Sequence, residues 1–388
     1  MVQAQMASSD RLTVLQGFLA QDPSNDRLRA DLFQVALEQG EVDLANRQVE
    51  WGMQQPIQEV AWRHRQIVLW MAQGCFGDAR DGLLALIAEG HDDLTTRYNL
   101  AYTQFALGAV SNAREEAALL IPADGEVGEL AWLLWLRCEH HSSRLDEGLQ
   151  AFTEAMAKRN PSPEAWGVAS LMAFDAERLD ESRAWAERAL EGDPRQLEAL
   201  VTTGTLALGR QDVPEATRRF EQAIQLKPLD GRTWSGMAFT KMLSLDIPSA
   251  QTAFEKAVTY MPFHIGTWIG MGWCEFMAGR PEAARDAFER ALKLDHSFAE
   301  SHGSLAVALA RLDLPEAAAT EAKVALKLDP RCLSARYAQH LLEGEAGDSD
   351  AFARMAQRYL SQHPVAGEEG KTLADVVLKY GANRATRP

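Results

Sequence analysis

The sequence predicts an all-α protein: helix pairs repeated in tandem and stacked into one continuous α-solenoid. Three observations predict it. Prolines fall at Pro194, Pro228, Pro262 and Pro330, with His296 in the remaining slot, so that these five positions follow a period of 34 residues. Small residues keep the same period at Ala216, Ala250, Ala284 and Ala318, preceded in phase by Ser182 and Gly148. Phe220, Phe254 and Phe288 follow three of them, and Ala223, Ala257 and Ala291 come next in the same register. Tryptophan recurs in phase at Trp132, Trp166, Trp234 and Trp268. A fixed period of this size is the signature of a repeat array.

The elements follow in order. Residues 8–20 read as an N-terminal cap helix within a leading segment 1–25. Ala45, Ala79 and Ala113 carry a degenerate form of the period through 26–128, in units near 26–59, 60–93 and 94–127, with one residue inserted before Glu129. Well-formed units occupy 129–332, of which 163–332 keep strict register. In unit 231–264 a first helix (A) is predicted from Arg232 to Leu245 and a second (B) from Ser249 to Tyr260. The break between them, Asp246–Pro248, puts proline in the first turn of helix B, where a missing N–H costs little. Pro262 then prevents continuation. Residues 333–388 hold a weak tenth unit (333–364), a C-terminal helix through Leu373, Val376, Val377 and Tyr380, and a tail. No interior stretch reads as a linker.

This pattern resembles the tetratricopeptide repeat family, W-x2-L-G-x2-Y, then A-x3-F, then A and P. One unit supplies Trp234, Ala250, Phe254, Ala257 and Pro262; another Trp268, Gly272, Ala284, Phe288 and Ala291; a third Gly204, Ala216, Phe220, Ala223 and Pro228. The family's Tyr slot departs from the pattern, with Ala207, Lys241 and Glu275 in it. The resemblance implies a right-handed superhelix of about nine to ten repeats whose A helices line a concave groove, and a role in protein–protein interaction.

At 100° per residue, repeat positions 2, 5, 9 and 12 of each A helix form one stripe, away from the stripe at 4, 7, 8 and 11. Across four units its apolar members are Tyr98, Tyr102 and Phe105; Leu171 and Phe174; Phe239 and Met242; and Ile269, Trp273 and Phe276. These ten residues are the candidate partner-binding surface, suited to an apolar peptide or an amphipathic helix. The competing reading is self-burial, in which a tight superhelix or the terminal helix covers the rings. Under the groove reading, truncating Phe239 and Trp273 together abolishes client capture and leaves melting unchanged. The carboxylate clamp that the family uses for acidic tails needs Lys and Asn where this chain has Val201, Thr205, Ser235, Phe239, Ile269 and Trp273. The family's asparagine ladder is represented by Asn99 alone.

Composition bounds the partner. The 388 residues are 46% apolar and 24% charged, which is too apolar for a disordered chain. There are 55 acidic and 39 basic side chains, a formal charge of −16, and residues 1–128 hold 18 acidic against 9 basic ones. That balance predicts no nucleic-acid binding and favours a partner with basic character. The first residues, Met1 to Leu12, have no apolar signal region, and the densest apolar run, Leu130–Leu136, is too short to span a bilayer. Cys75, Cys138, Cys274 and Cys332 form no CxxC pair. The expected setting is cytoplasmic. Arg outnumbers Lys 30 to 9, a compositional hint of a GC-rich bacterial genome.

Catalytic signals are weak. Gly370-Lys371-Thr372 resembles a P-loop ending, but Val365 stands where the pattern needs Gly. His140 and His141 are neighbours, about 100° apart on a helix, and cannot share a metal easily. Cys138 and Cys274 occupy one repeat position as packing residues. The expected function is therefore non-enzymatic, with no cofactor and no metal: a scaffold, adaptor or chaperone for an apolar client segment. The alternative is a structural or regulatory subunit, including one of an enzyme complex, assembled through its ends or convex face.

Overall fold

The computed structural model of the chain describes residues 2–55, 59–158 and 160–343, with side chains from residue 11 onward. The expected C-terminal helix at Leu373–Tyr380, most of the weak tenth unit and the Gly370–Thr372 loop lie outside the described residues. Every regular element among those described is a helix.

After α1 (Val2–Gln21) come nine A/B pairs. They are α2 (Asp26–Glu38) with α3 (Val42–Gly52), α4 (Glu59–Ala72) with α5 (Phe76–Ala88), and α6 (Leu94–Ala106) with α7 (Val110–Leu120). Next are α8 (Glu126–His141) with α9 (Leu145–Met156), α10 (Pro163–Asp175) with α11 (Leu179–Gly192), and α12 (Leu197–Gly209) with α13 (Val213–Leu226). The last three are α14 (Gly231–Leu243) with α15 (Ile247–Tyr260), α16 (Ile265–Met277) with α17 (Pro281–Leu294), and α18 (Ala299–Arg311) with α19 (Pro315–Leu328). A further A-type helix, α20, runs Leu333–Leu342. Packing divides the chain into two compact units, Met1–Glu154 and the part from Ala155 onward, so the division falls within α9.

Local chemistry sets the helix ends. Side chains of Asn25, Asp93, Ser162 and Asp230 accept the backbone N–H three residues on and cap α2, α6, α10 and α14. Asp212 and Asp246 do the same for α13 and α15, each with proline in the first turn. Where A helices end, one residue adopts a left-handed conformation. It is Gly40, Gly74, Gly108 and Gly279 in four pairs, and Ser143, Glu177, Gln211, Leu245 and Asp313 in the other five. These positions follow the 34-residue period, with a single step of 35 between Gly108 and Ser143 that accommodates the inserted residue. The hydrogen bonds are those of a Schellman turn. In the pair α14/α15, Leu245 N–H donates to Met242 O at 2.9 Å and Asp246 N–H to Lys241 O at 3.0 Å.

Between repeats the contact is a ring on a glycine. Phe220 of α13 lies 2.9 Å from where a Cβ on Gly204 of its own A helix would be, and it also closes onto Gly236 of the next A helix. Phe254 is wholly buried and closes onto Gly270 of α16. In the first unit Leu12, Leu15 and Leu19 of α1 pack on the cluster that holds Leu32, Phe33 and Trp62, which makes α1 a cap for α2.

Leu245 holds a φ of 61° with its side chain largely exposed. A left-handed residue with a Cβ costs about 1–2 kcal/mol, and glycine's extra chain entropy returns about 0.5–1 of it. Leu245→Gly is therefore expected to raise stability by about 0.5–1 kcal/mol in urea unfolding. A destabilised variant refutes the strain.

Candidate functional site

In the second unit successive A helices pack on one another: α10 on α12, α12 on α14, α14 on α16, α16 on α18 and α18 on α20. Each B helix packs on the A helices before and after it, and clefts open between α11 and α13 and between α13 and α15. The A helices thus form the inner wall of this unit and the B helices its outer wall.

The expected stripe is partly consumed by that packing. Leu171 and Ile269 are buried, Leu171 against Leu200, Val201 and Ala223, and Ile269 against Phe288 and Leu305. Both drop out of the candidate surface, because neighbouring A helices come close enough to cover inner positions. Phe174, Phe239, Met242, Trp273 and Phe276 are half-buried. Phe239 stands edge-on to Phe254 with centroids 5.1 Å apart, and its tip meets Gly270. Trp273 packs edge-on to Phe276 at 5.6 Å and to Phe288 at 5.7 Å, and its indole N–H donates to Ser304 Oγ at 3.0 Å. Ser304 in turn donates to Glu300, which also accepts from Ser334, so Trp273 is oriented by a chain of polar groups through α18 to α20. In the first unit Tyr98 and Phe105 pack against Ala101, Ala113 and Leu134, while Tyr102 is exposed beside Phe76.

An ion pair crosses the inner wall. Arg232, at the start of α14, holds Asp175, at the end of α10, through both guanidinium nitrogens, spanning the intervening repeat. Arg232 stands at repeat position 2, on the stripe, and its partner is not visible from sequence because it lies 57 residues away. Next to it His264 caps α16, with Nδ1 2.8 Å from the Thr267 hydroxyl and 3.2 Å from the Thr267 backbone nitrogen. Desolvation depresses the His264 imidazole below its usual range, and Arg232 adds to the shift while Asp175 opposes it.

The family's Tyr slot also has an unexpected occupant. Glu139 is fully buried, held by the Nε atoms of Arg114 and, at 3.1 Å, Arg144. Glu275 occupies the same repeat position and takes Arg280 Nε at 2.6 Å and Gln251 Nε2 at 2.8 Å. A carboxylate reaching the preceding B helix and its own A–B turn replaces the tyrosine, and its burial is tolerated because it is paired. The repeat tryptophans do more than fill space: Trp234 and Trp268 donate their indole N–H to the carbonyls of Pro228 and Pro262, each at 2.7 Å. Arg336 reaches Pro330 O at 2.7 Å, and His302 Nε2 lies 3.0 Å from His296 O, in the same register.

Two tetratricopeptide repeat family models match the chain, over residues 142–196 and 266–298. The chain carries tetratricopeptide repeats over those residues. No curated protein matches its sequence. Among solved structures it is similar to a tetratricopeptide repeat protein from Parabacteroides merdae ATCC 43184, at 15% identity, covering 64% of this chain and 98% of that one, with a TM-score of 0.42. It is also similar to a thermophilic TPR protein of Thermus thermophilus, at 19% identity, 46% and 97% coverage and a TM-score of 0.39. A third is YrrB, a TPR protein with an unusual peptide-binding site, at 19% identity, 49% and 98% coverage and a TM-score of 0.38.

Among the described residues of this repeat protein no group of three or more His, Cys, Asp or Glu side chains is placed to hold a metal ion. Burial, reinforced by Glu139 and by Glu300, pushes the Cys138 and Cys332 thiols up to about 12, and burial with Glu275 raises Cys274 to about 11. A thiol that stays protonated is a poor nucleophile. A protein-interaction module is the function this fold supports.

Two outcomes follow. Phe239 and Trp273 both contact the core, so their joint truncation to alanine is expected to cost about 3 kcal/mol or more in chemical unfolding. That corrects the sequence-based expectation of unchanged melting, and a variant as stable as the parent restores it. The second concerns pH. His264 accepts the Thr267 N–H only when its ring is neutral, and the folded state holds its proton less tightly than the unfolded chain. Its contribution is therefore complete above about pH 6.5 and is lost as pH falls through that value towards the folded pKa. His264→Asn caps without titrating, and is expected to flatten part of the stability loss between about pH 7.5 and about pH 5. An equal slope in both proteins rules His264 out.

Proposed function

We propose that this repeat protein acts without catalysis of its own, as a scaffold, adaptor or chaperone that takes an apolar peptide or helix of a client protein. The observation that carries the reading is the row Phe174, Phe239, Met242, Trp273 and Phe276 on α10, α14 and α16, which keeps part of its apolar surface uncovered. Partial exposure of rings already fixed by packing lowers the entropy a partner must offset. Tyr98, Tyr102 and Phe105 on α6 offer a smaller surface of the same kind in the first unit. The acidic excess in residues 1–128 favours a client with basic residues beside its apolar segment.

The four cysteines are free thiols, which supports a reducing compartment, the cytoplasm of a bacterium on the compositional hint. No helix among the described residues is long and apolar enough to cross a membrane. A role as a structural or regulatory subunit of a larger complex is the second reading, favoured by the open clefts on the outer wall of the second unit.

Site-specific crosslinking separates the two. A photoreactive residue at Met242, on the inner wall, is expected to capture the client, and one at Arg188, exposed on α11, is not. Met242→Lys is expected to weaken capture at least tenfold with helicity unchanged, because the long chain can carry its charge to solvent. Capture from Arg188 alone favours the second reading and ends the first.

A further inference from the structure

The outer wall of the second unit carries a site of different chemistry. Between α11 and α13, over α12, lies a cleft of about 580 Å³. Four arginines line it: Arg183 from α11, Arg210 at the end of α12, and Arg218 and Arg219 from α13. In a chain of net charge −16 this is a local reversal of sign.

The charges are not all free. Arg218 and Arg219 are held by Glu215, at 2.7 Å each, and Glu191 is held by Arg188 at 3.1 Å. That leaves Arg183 and Arg210 without an acidic partner, facing a single uncommitted carboxylate, Glu187. Two buried polar atoms on the cleft lack a protein partner as well. The Nε of Arg183 has no acceptor and the Oε1 of Gln222 has no donor. A donor and an acceptor left open in one cleft match the two faces of a peptide unit, whose C=O accepts and whose N–H donates.

The next cleft along the wall is built from matching repeat positions. It has about 490 Å³, with Ile224 of α13, Trp234 and Met237 of α14 and Ala253 of α15 among its lining. Residues of α13 border both clefts. Thr252 and Ala253 stand there where Arg218 and Arg219 stand in the first, so the wall turns from cationic to apolar within one repeat.

We propose that this outer wall is a second docking surface, which binds an extended acidic peptide segment of a partner protein. A carboxylate of the peptide lies between Arg183 and Arg210, its backbone engages Arg183 Nε and Gln222 Oε1, and an apolar side chain enters the neighbouring cleft. Arginine is suited to the first task because its planar fork engages a carboxylate through two N–H groups. The site is independent of the inner wall, so the two proposals fail separately.

The test is fluorescence anisotropy with a fluorescein-labelled hexaglutamate peptide at low salt, on the full chain. Binding is expected, weakening as salt rises. Arg183→Gln and Arg210→Gln are each expected to weaken it at least fivefold with unchanged thermal melting, and Met242→Lys is expected to leave it intact. Arg183→Lys, which keeps the charge and loses the fork, is expected to fall between. Lack of binding, equal binding of hexalysine, or indifference to both glutamine variants overturns the proposal. Displacement by equimolar inorganic phosphate assigns the cleft to a free anion and overturns it too.

Discussion

The structure depends on one close approach: Phe220, Phe254 and Phe288 of three B helices seated on glycines of the A helices they pack against. Phe220 presses on Gly204 of its own repeat and Gly236 of the next, and Phe254 on Gly270. A methyl group at Gly236 or Gly270 would overlap the ring, so the separation of neighbouring repeats is set by van der Waals contact there. Since each ring bridges only adjacent repeats, cohesion passes from one neighbour to the next, as expected of a quasi-one-dimensional array.

The same approach decides how much surface remains for a partner. Packing A helix on A helix covers inner positions such as Leu171, Val201 and Ile269. Phe239 and Trp273, larger rings at the repeat position of Leu171, cannot be swallowed whole and stay half-buried. They pack into the core and keep part of their surface uncovered. On the outer wall, B helices are held apart by the A helices between them, and clefts open whose chemistry each repeat's own substitutions determine. The Arg232–Asp175 pair adds a tie across the inner wall that no nearest-neighbour rule predicts.

Much of the fold was legible in the sequence because its cause is local. Proline in the first turn of B helices and small residues in register both act within a few residues of themselves. Leu12, Leu15 and Leu19 of α1, spaced to share one helix face, pack on the cluster that holds Leu32 and Phe33. The left-handed turn residue kept the same register yet was not legible, because Leu245, Gln211 and Glu177 carry no glycine signal there. The Schellman hydrogen bonds impose the conformation regardless of side chain, and the strain is tolerated.

By itself, then, the sequence determined the all-helical class, the period, the pairing of helices and the identity of the core rings, since each follows from local geometry or from polarity repeated in register. Only the tertiary structure decided which stripe residues keep any surface, since exposure depends on how near the next helix lies. It also decided that Glu139 and Glu275 are buried and paired, that Arg232 meets Asp175, and that Arg183 and Arg210 share a cleft. Those arrangements join residues far apart in the chain, and no spacing rule reaches across a repeat to report where two side chains meet.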